Sequence, residues 1–107
     1  MREIQIDLAA IRDNYLTLKK TFAPAKVMAV IKANAYGHGM HEIAAALEQV
    51  SVDQLGVADL AEALELRSAG VTAPIMCWLL GPADDLQLAK ESGIALGIST
   101  LSNLARV

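Results

Sequence analysis

Four short apolar runs, Val27–Ala33, Leu55–Ala58, Pro74–Leu80 and Ile94–Ile98, recur about every 20–25 residues, and each is followed by residues at helical spacing. Strands that alternate with helices must run parallel, because every crossover returns the chain to the same end of the sheet. Two architectures satisfy that rule, an open doubly wound sheet and a closed (β/α)8 barrel. A barrel takes about 250 residues. The chain has 107, and its last helical stretch, opened by Ser99-Thr100 and carrying Leu101 and Leu104, looks cut short. The expectation is the first half of a parallel (β/α) barrel over residues 1–107, with the rest of the barrel and any carboxy-terminal domain lying outside it. The repeat is architectural, and the units do not resemble one another in sequence.

Local signals place the elements. Ile4 and Ile6 alternate with polar neighbours, so Arg2–Ile6 reads as a half-exposed strand. Asp7 is placed to cap a helix whose inward face is Leu8, Ile11, Tyr15, Leu18 and Phe22, and Pro24 ends it. Met40, Ile43, Ala44 and Leu47 mark the second helix. Asp59 with Glu62 forms an aspartate version of a capping box, opening a helix that carries Leu60, Ala63, Leu64 and Leu66 and stops at Gly70. Gly81-Pro82 turns the third apolar run into a helix through Leu86 and Ala89 that stops at Gly93.

The most informative stretch is Val27–Gly39. A buried strand ends in one charged residue, Lys32, and Asn34, Gly37 and Gly39 then break it into a turn. Ligands of α/β folds sit at that carboxyl end of the sheet. A lysine amine can condense with an aldehyde, provided it is neutral part of the time, and apolar neighbours such as Val30, Ile31 and Ala33 would lower its pKa in that direction. The plainer alternative is a lysine whose stem packs on the sheet while its ammonium reaches water.

Composition narrows the function. With 54% hydrophobic residues the chain can bury a core, and its formal net charge of −3 is scattered, unlike the basic stripe of a nucleic-acid binder. The single cysteine, Cys77, excludes an intramolecular disulfide and a zinc cluster and fits a reducing compartment. Met1–Leu8 lacks the apolar core of a secretory signal, and no apolar run approaches the ~20 residues of a membrane span. A cytoplasmic location and no membrane partner are expected. Cys77 reads as a packing residue. His38, His41 and Glu42 are close together but no third metal ligand is evident, so no metal is expected and the histidines read as helix-start residues. Trp78 either walls a ligand or is an ordinary core aromatic.

The eight residues Lys32-Ala33-Asn34-Ala35-Tyr36-Gly37-His38-Gly39 resemble the cofactor-binding signature of the alanine racemases, pyridoxal-phosphate enzymes built on a barrel. The likeness extends to Ile4–Asn14, to Leu55-Gly56-Val57-Ala58 with Glu62-Ala63 and Leu66-Arg67, and to Ala73-Pro74-Ile75. It covers essentially the whole chain but only the amino-terminal part of the family enzyme. The resemblance implies that Lys32 carries pyridoxal 5'-phosphate as a Schiff base and serves as the acid/base on one face of the substrate. It implies that Tyr36 hydrogen-bonds the cofactor phosphate, where an aromatic covering the barrel rim is the alternative. Asn34 reads as a turn residue.

The family's activity is the interconversion of L- and D-alanine, which supplies D-alanine for peptidoglycan. Its second acid/base is a tyrosine from a later domain of the partner subunit in a homodimer, and an arginine sits beside the pyridine nitrogen. Neither maps onto this chain, so residues 1–107 alone are expected to be inactive. Related barrels, among them diaminopimelate decarboxylase and small non-catalytic cofactor-homeostasis proteins, share the apolar strand ending in lysine. Two readings rival the enzyme: a homeostasis protein that binds the cofactor without catalysis, and a purely structural half-barrel. The continuation Ala35-Tyr36-Gly37-His38-Gly39 argues against the first.

Overall fold

The computed structural model describes residues 2–107. Its elements are α1 (Leu8–Thr21), β1 (Met28–Val30), α2 (Lys32–Tyr36), α3 (Met40–Gln49), β2 (Gln54–Asp59), α4 (Leu60–Ser68), β3 (Ile75–Leu79), α5 (Leu86–Glu91), β4 (Ile94–Leu96) and α6 (Leu101–Arg106). The four strands form one parallel sheet in the order β1-β2-β3-β4. No strand is inserted out of sequence, which excludes the doubly wound alternative and agrees with the first half of a (β/α) barrel. No helix among the described residues is long and apolar enough to cross a membrane.

The register explains why only one face of the sheet is covered. Ala29, Leu55, Ile75 and Ile94 lie abreast, and Val57 lies beside Cys77. These side chains pack with Ile43, Leu47, Ala63, Leu66 and Ala89 of the helices into a single core. The neighbouring row, Val30, Gly56, Met76 and Ala95, points the other way, and Val30 is 51% exposed. In that row the large side chains, Val30 and Met76, come from β1 and β3, and the small residues, Gly56 and Ala95, from β2 and β4. A Cβ on Gly56 would stand 2.5 Å from the Met28 sulfur and 3.0 Å from the Trp78 ring. A Cβ on Gly97 would stand 2.9 Å from Trp78 Cβ. Alternate strands filling one layer is how a barrel interior is packed.

Caps fall where side chains can reach them. Asp7 accepts from the Ala10 amide at 3.0 Å, and the Asp59–Glu62 capping box is complete. Thr100 caps α6 through the Asn103 amide. Four expectations shift. Arg2–Ile6 is not a strand: among the described residues no partner strand lies beside it, and Ile4 is 87% exposed. On α1 only Tyr15 is buried; Leu8 and Ile11 pack partly, whereas Leu18 and Phe22 face solvent. Helix α5 is opened by Asp85, which accepts from the Leu88 amide at 3.0 Å, rather than by Gly81-Pro82. Strand β1 ends at Val30, three residues short of Ala33, for a reason that lies in the site.

At the amino-terminal ends of the strands, polar side chains latch the backbone. The Tyr15 hydroxyl donates to the Val27 carbonyl (3.1 Å) and accepts from the Asp53 amide (2.8 Å). The Asp53 carboxylate accepts from the Val27 amide (2.8 Å) and pairs with Lys19. Glu48 accepts from the amides of Thr72 and Ala73, both at 2.9 Å, and from the Thr72 hydroxyl. Arg67 donates to the carbonyls of Val71, Ala73, Ser92 and Gly93. The starts of β1, β3 and β4 are thereby held by side chains from outside those strands.

Candidate functional site

At the opposite, carboxyl-terminal end, β1 passes directly into the segment that carries Lys32. The Ile31 amide still donates to the Gly56 carbonyl at 2.9 Å, closing the ladder. Ala33, Asn34, Ala35 and Tyr36 then adopt φ between +52° and +56°. The segment Lys32–Tyr36 is therefore a left-handed turn, and this ends the strand early. Left-handed helical geometry costs roughly 1–2 kcal/mol per L-residue, with asparagine among the few tolerant types. Several such residues in a row persist only when their surroundings impose the conformation, a state concentrated at functional sites.

The surroundings that impose it are on hand. The Ala35 amide donates to the Ile31 carbonyl (2.9 Å) and the Gly37 amide to the Asn34 carbonyl (3.0 Å). Asn34 is a turn residue, as its type suggested, and its side-chain oxygen also accepts from the Met40 amide (2.8 Å), tying the turn to the start of α3. The Ala33 amide donates to Glu62 Oε2 at 2.7 Å, while Glu62 Oε1 accepts from the amides of Ala58 (2.9 Å) and Asp59 (3.4 Å). One carboxylate thus joins the segment after β1 to the end of β2. The sequence announces Glu62 as half of a capping box; nothing local announces its reach to Ala33, 29 residues away.

Lys32 is half-buried, and its Nζ lies 5.9 Å from the centre of the Tyr36 ring, within cation–π range. Tyr36 is 71% exposed. The two residues of the motif are therefore brought together at the mouth. The apolar enclosure expected around Lys32 takes another form: Ile31 is buried on the helix-covered side, and Val30 and Ala33 are exposed. Trp78 lies half-buried on the open face between Gly56 and Gly97, so it is not part of the helix-packed core. A cavity of about 460 Å³, lined by Leu86, Gln87, Lys90, Ile94, Leu96 and Arg106, lies at the β4 edge, away from Lys32.

The other candidates separate from the mouth chemistry. Cys77 is fully buried, and burial, helped by Asp84 and Asp59, pushes its thiol up to about 11. A thiol in that state is a packing residue. His38 Nδ1 lies 2.9 Å from the Ala35 carbonyl, and His41 Nε2 lies 3.0 Å from Glu65 on the next long helix. No three His, Cys, Asp or Glu side chains among the described residues form a group that could hold a metal.

A sequential parallel sheet, helices on one face, and a lysine on a strained turn at the carboxyl end of the first strand define a barrel-type βα domain with an amine at its mouth. The family described as "Alanine racemase, N-terminal domain" matches residues 6–107. An alanine racemase of Corynebacterium efficiens is 46% identical over 94 residues, which is 88% of this chain and 26% of that protein. The crystal structure of the alanine racemase from D-cycloserine-producing Streptomyces lavendulae superposes with a TM-score of 0.90 at 41% identity, covering 95% of this chain and 27% of that one. That of Bartonella henselae, determined with covalently bound pyridoxal phosphate, superposes with a TM-score of 0.85 at 36% identity over 94% of this chain and 28% of its own. The chain belongs to the alanine racemase family, to its N-terminal domain, and spans about a quarter of the length of these relatives.

Proposed function

We propose that the protein carrying this chain interconverts L- and D-alanine with pyridoxal 5'-phosphate, in the cytoplasm, providing D-alanine for peptidoglycan. On this reading residues 1–107 hold the lysine half of the chemistry, and the remainder of the barrel, a further domain and a second subunit supply the rest. The observation that carries the reading is Lys32 beside Tyr36 on a strained turn, in a chain whose relatives are alanine racemases.

The donor set suits such a cofactor. Among the described residues the ion pairs are Lys19–Asp53 and His41–Glu65, so Lys32 is committed to neither. Lys32 is half-buried, and the exposed Tyr36 phenol beside it can donate to a phosphate oxygen. When bound, pyridoxal phosphate supplies an aldehyde for the amine and an electron sink that acidifies the α-hydrogen of an amino acid. With the cofactor in place, Lys32 Nζ would serve one face of the substrate only, removing the α-proton in one direction of the reaction and supplying it in the other. Tyr36 anchors and Lys32 moves the proton. Trp78 and Val30 line the open face below them. Inversion requires a second acid/base on the opposite face, which the partner subunit of a homodimer would provide.

The test is Lys32→Arg in the full-length protein loaded with pyridoxal phosphate. Arginine keeps the charge and cannot attach the aldehyde. We expect racemisation to fall by at least about a thousandfold, the scale of a lost acid/base, and the visible absorption of the attached cofactor to vanish. Tyr36→Phe should keep attachment at Lys32 and weaken cofactor retention by about tenfold. Normal turnover by Lys32→Arg would contradict the mechanism. Attachment at Lys32 without any turnover by the unsubstituted protein would favour the non-catalytic cofactor-binding alternative.

A further inference from the structure

We propose that Glu62 is a positioning residue for Lys32: by holding the Ala33 amide against the end of β2, its carboxylate fixes the left-handed turn on which Lys32 and Tyr36 stand. The proposal rests on the reading of Lys32 as the cofactor-bearing amine and adds to it a residue that need not touch cofactor or substrate.

The turn's internal bonds leave one of its amides to an outside partner. Its internal bonds use the amides of Ala35, Gly37, His38 and Gly39, whereas the Ala33 amide, immediately after Lys32, points out of it to Glu62 Oε2 at 2.7 Å. Three of the four left-handed residues, Ala33, Ala35 and Tyr36, are types that disfavour that conformation. Glu62 is itself fixed at the first turn of α4, where its own amide donates to Asp59 Oδ1 at 2.9 Å. Its other oxygen takes the Ala58 amide at 2.9 Å, at the carboxyl end of β2. Both oxygens therefore act as acceptors, one for each chain segment. Glutamine offers a single acceptor oxygen and would set an NH2 against either Ala33 or Ala58. A carboxylate also makes the shorter and stronger bond to an amide. The capping box and the tie to Ala33 are separable functions of one side chain: Asp59 contributes to the first and not to the second.

That separation supplies the experiment. Full-length protein, Glu62→Gln and Asp59→Ala are each mixed with pyridoxal phosphate and quenched with borohydride at increasing times. The modified Lys32 peptide is quantified by mass spectrometry and normalised to the folded fraction. We expect Glu62→Gln to slow labelling of Lys32 by about tenfold, and Asp59→Ala, which damages the same helix cap, to stay within about twofold of the unsubstituted protein. Equal slowing by both variants would reduce Glu62 to a helix cap and overturn the proposal, as would an unchanged rate in Glu62→Gln. If Glu62→Gln does not fold, hydrogen exchange of the unsubstituted protein decides. Protection of the Ala33 amide equal to that of Ala58 supports the tie, and exchange as fast as a free surface amide contradicts it. Absence of label on Lys32 in the unsubstituted protein would instead reject the functional reading, while the Ala33 exchange rate still reports on the tie.

Discussion

At the amino-terminal ends of the strands, Tyr15, Glu48, Asp53 and Arg67 bond to the backbone that leads into the next strand, and Lys19 is paired. At the carboxyl-terminal ends, Lys32 lies outside the ion pairs, Tyr36 faces solvent, and the backbone beneath them is left-handed. Both ends carry a lysine and a tyrosine. Tyr15 at one end is buried and bonded through its hydroxyl to two backbone groups; Tyr36 at the other is exposed beside an amine. The same residue types are thus bonded into the backbone at one end and, on the proposed function, left for chemistry at the other. In βα barrels the carboxyl end is where loops vary and chemistry is done, and the other end is where stability resides.

The division is most sharply exposed by Arg67→Ala. Four carbonyls at the starts of β3 and β4 lose their donor. We expect a loss of about 2–4 kcal/mol in unfolding free energy, because charged donors to partly buried carbonyls are removed together. Labelling of Lys32 per folded molecule should not change. Chemical denaturation paired with the trapping assay checks both halves; a variant of normal stability but impaired labelling would erase the distinction between the two ends.

A smaller effect is expected from Glu48→Gln, read against pH. Burial acts to raise the Glu48 carboxyl, but the amides of Thr72 and Ala73, the Thr72 hydroxyl and the nearby Arg67 outweigh it, so the group sits below its ordinary 4.5. Asp53 is likewise held below its ordinary 3.8, first by Lys19 and then by the Val27 amide. A carboxyl depressed in the native state binds fewer protons there than in the unfolded chain. Its stabilisation is full above the ordinary pKa and is lost as pH falls through the lowered native value. Glutamine mimics the protonated acid, so Glu48→Gln should lower stability by about 1 kcal/mol at neutral pH. That gap should close in acid, below about pH 4.5. Melting temperatures of both proteins from pH 7 down to pH 3 measure it. A gap that stays constant would mean that the Glu48 charge contributes nothing.

The capping box at Asp59 and Glu62 and the place of Lys32 at a strand end were legible because each is written within a few neighbouring residues, and the order of strands because the same strand–helix unit recurs along the chain. The ends of elements were less so. Nothing in the preferences of Ala33, Ala35 or Tyr36 signals positive φ; the turn is bonded to α3 through Asn34 and to Glu62, and β1 stops before the apolar run does. The alternation of Ile4 and Ile6 is real, but a strand needs a neighbour and none among the described residues lies beside it. Leu18 and Phe22 continue an apolar stripe with nothing packed over it among the described residues. The latches escaped for a common reason. Arg67 reaches Ser92 and Glu62 reaches Ala33 across 25 and 29 residues, and such pairings exist only once the sheet is assembled.

The division between a structural and a reactive end is tested most directly by asking which amine takes the cofactor. Full-length protein is mixed with pyridoxal phosphate, reduced with borohydride, digested and mapped by mass spectrometry. Lys20, Lys26 and Lys90 are exposed while Lys32 is half-buried, so exposure alone would send the label to the others. We expect the label on the peptide containing Lys32, with Lys19, Lys20, Lys26 and Lys90 unmodified. Label on any of those four with Lys32 untouched would contradict the assignment of chemistry to the carboxyl-terminal mouth of the sheet.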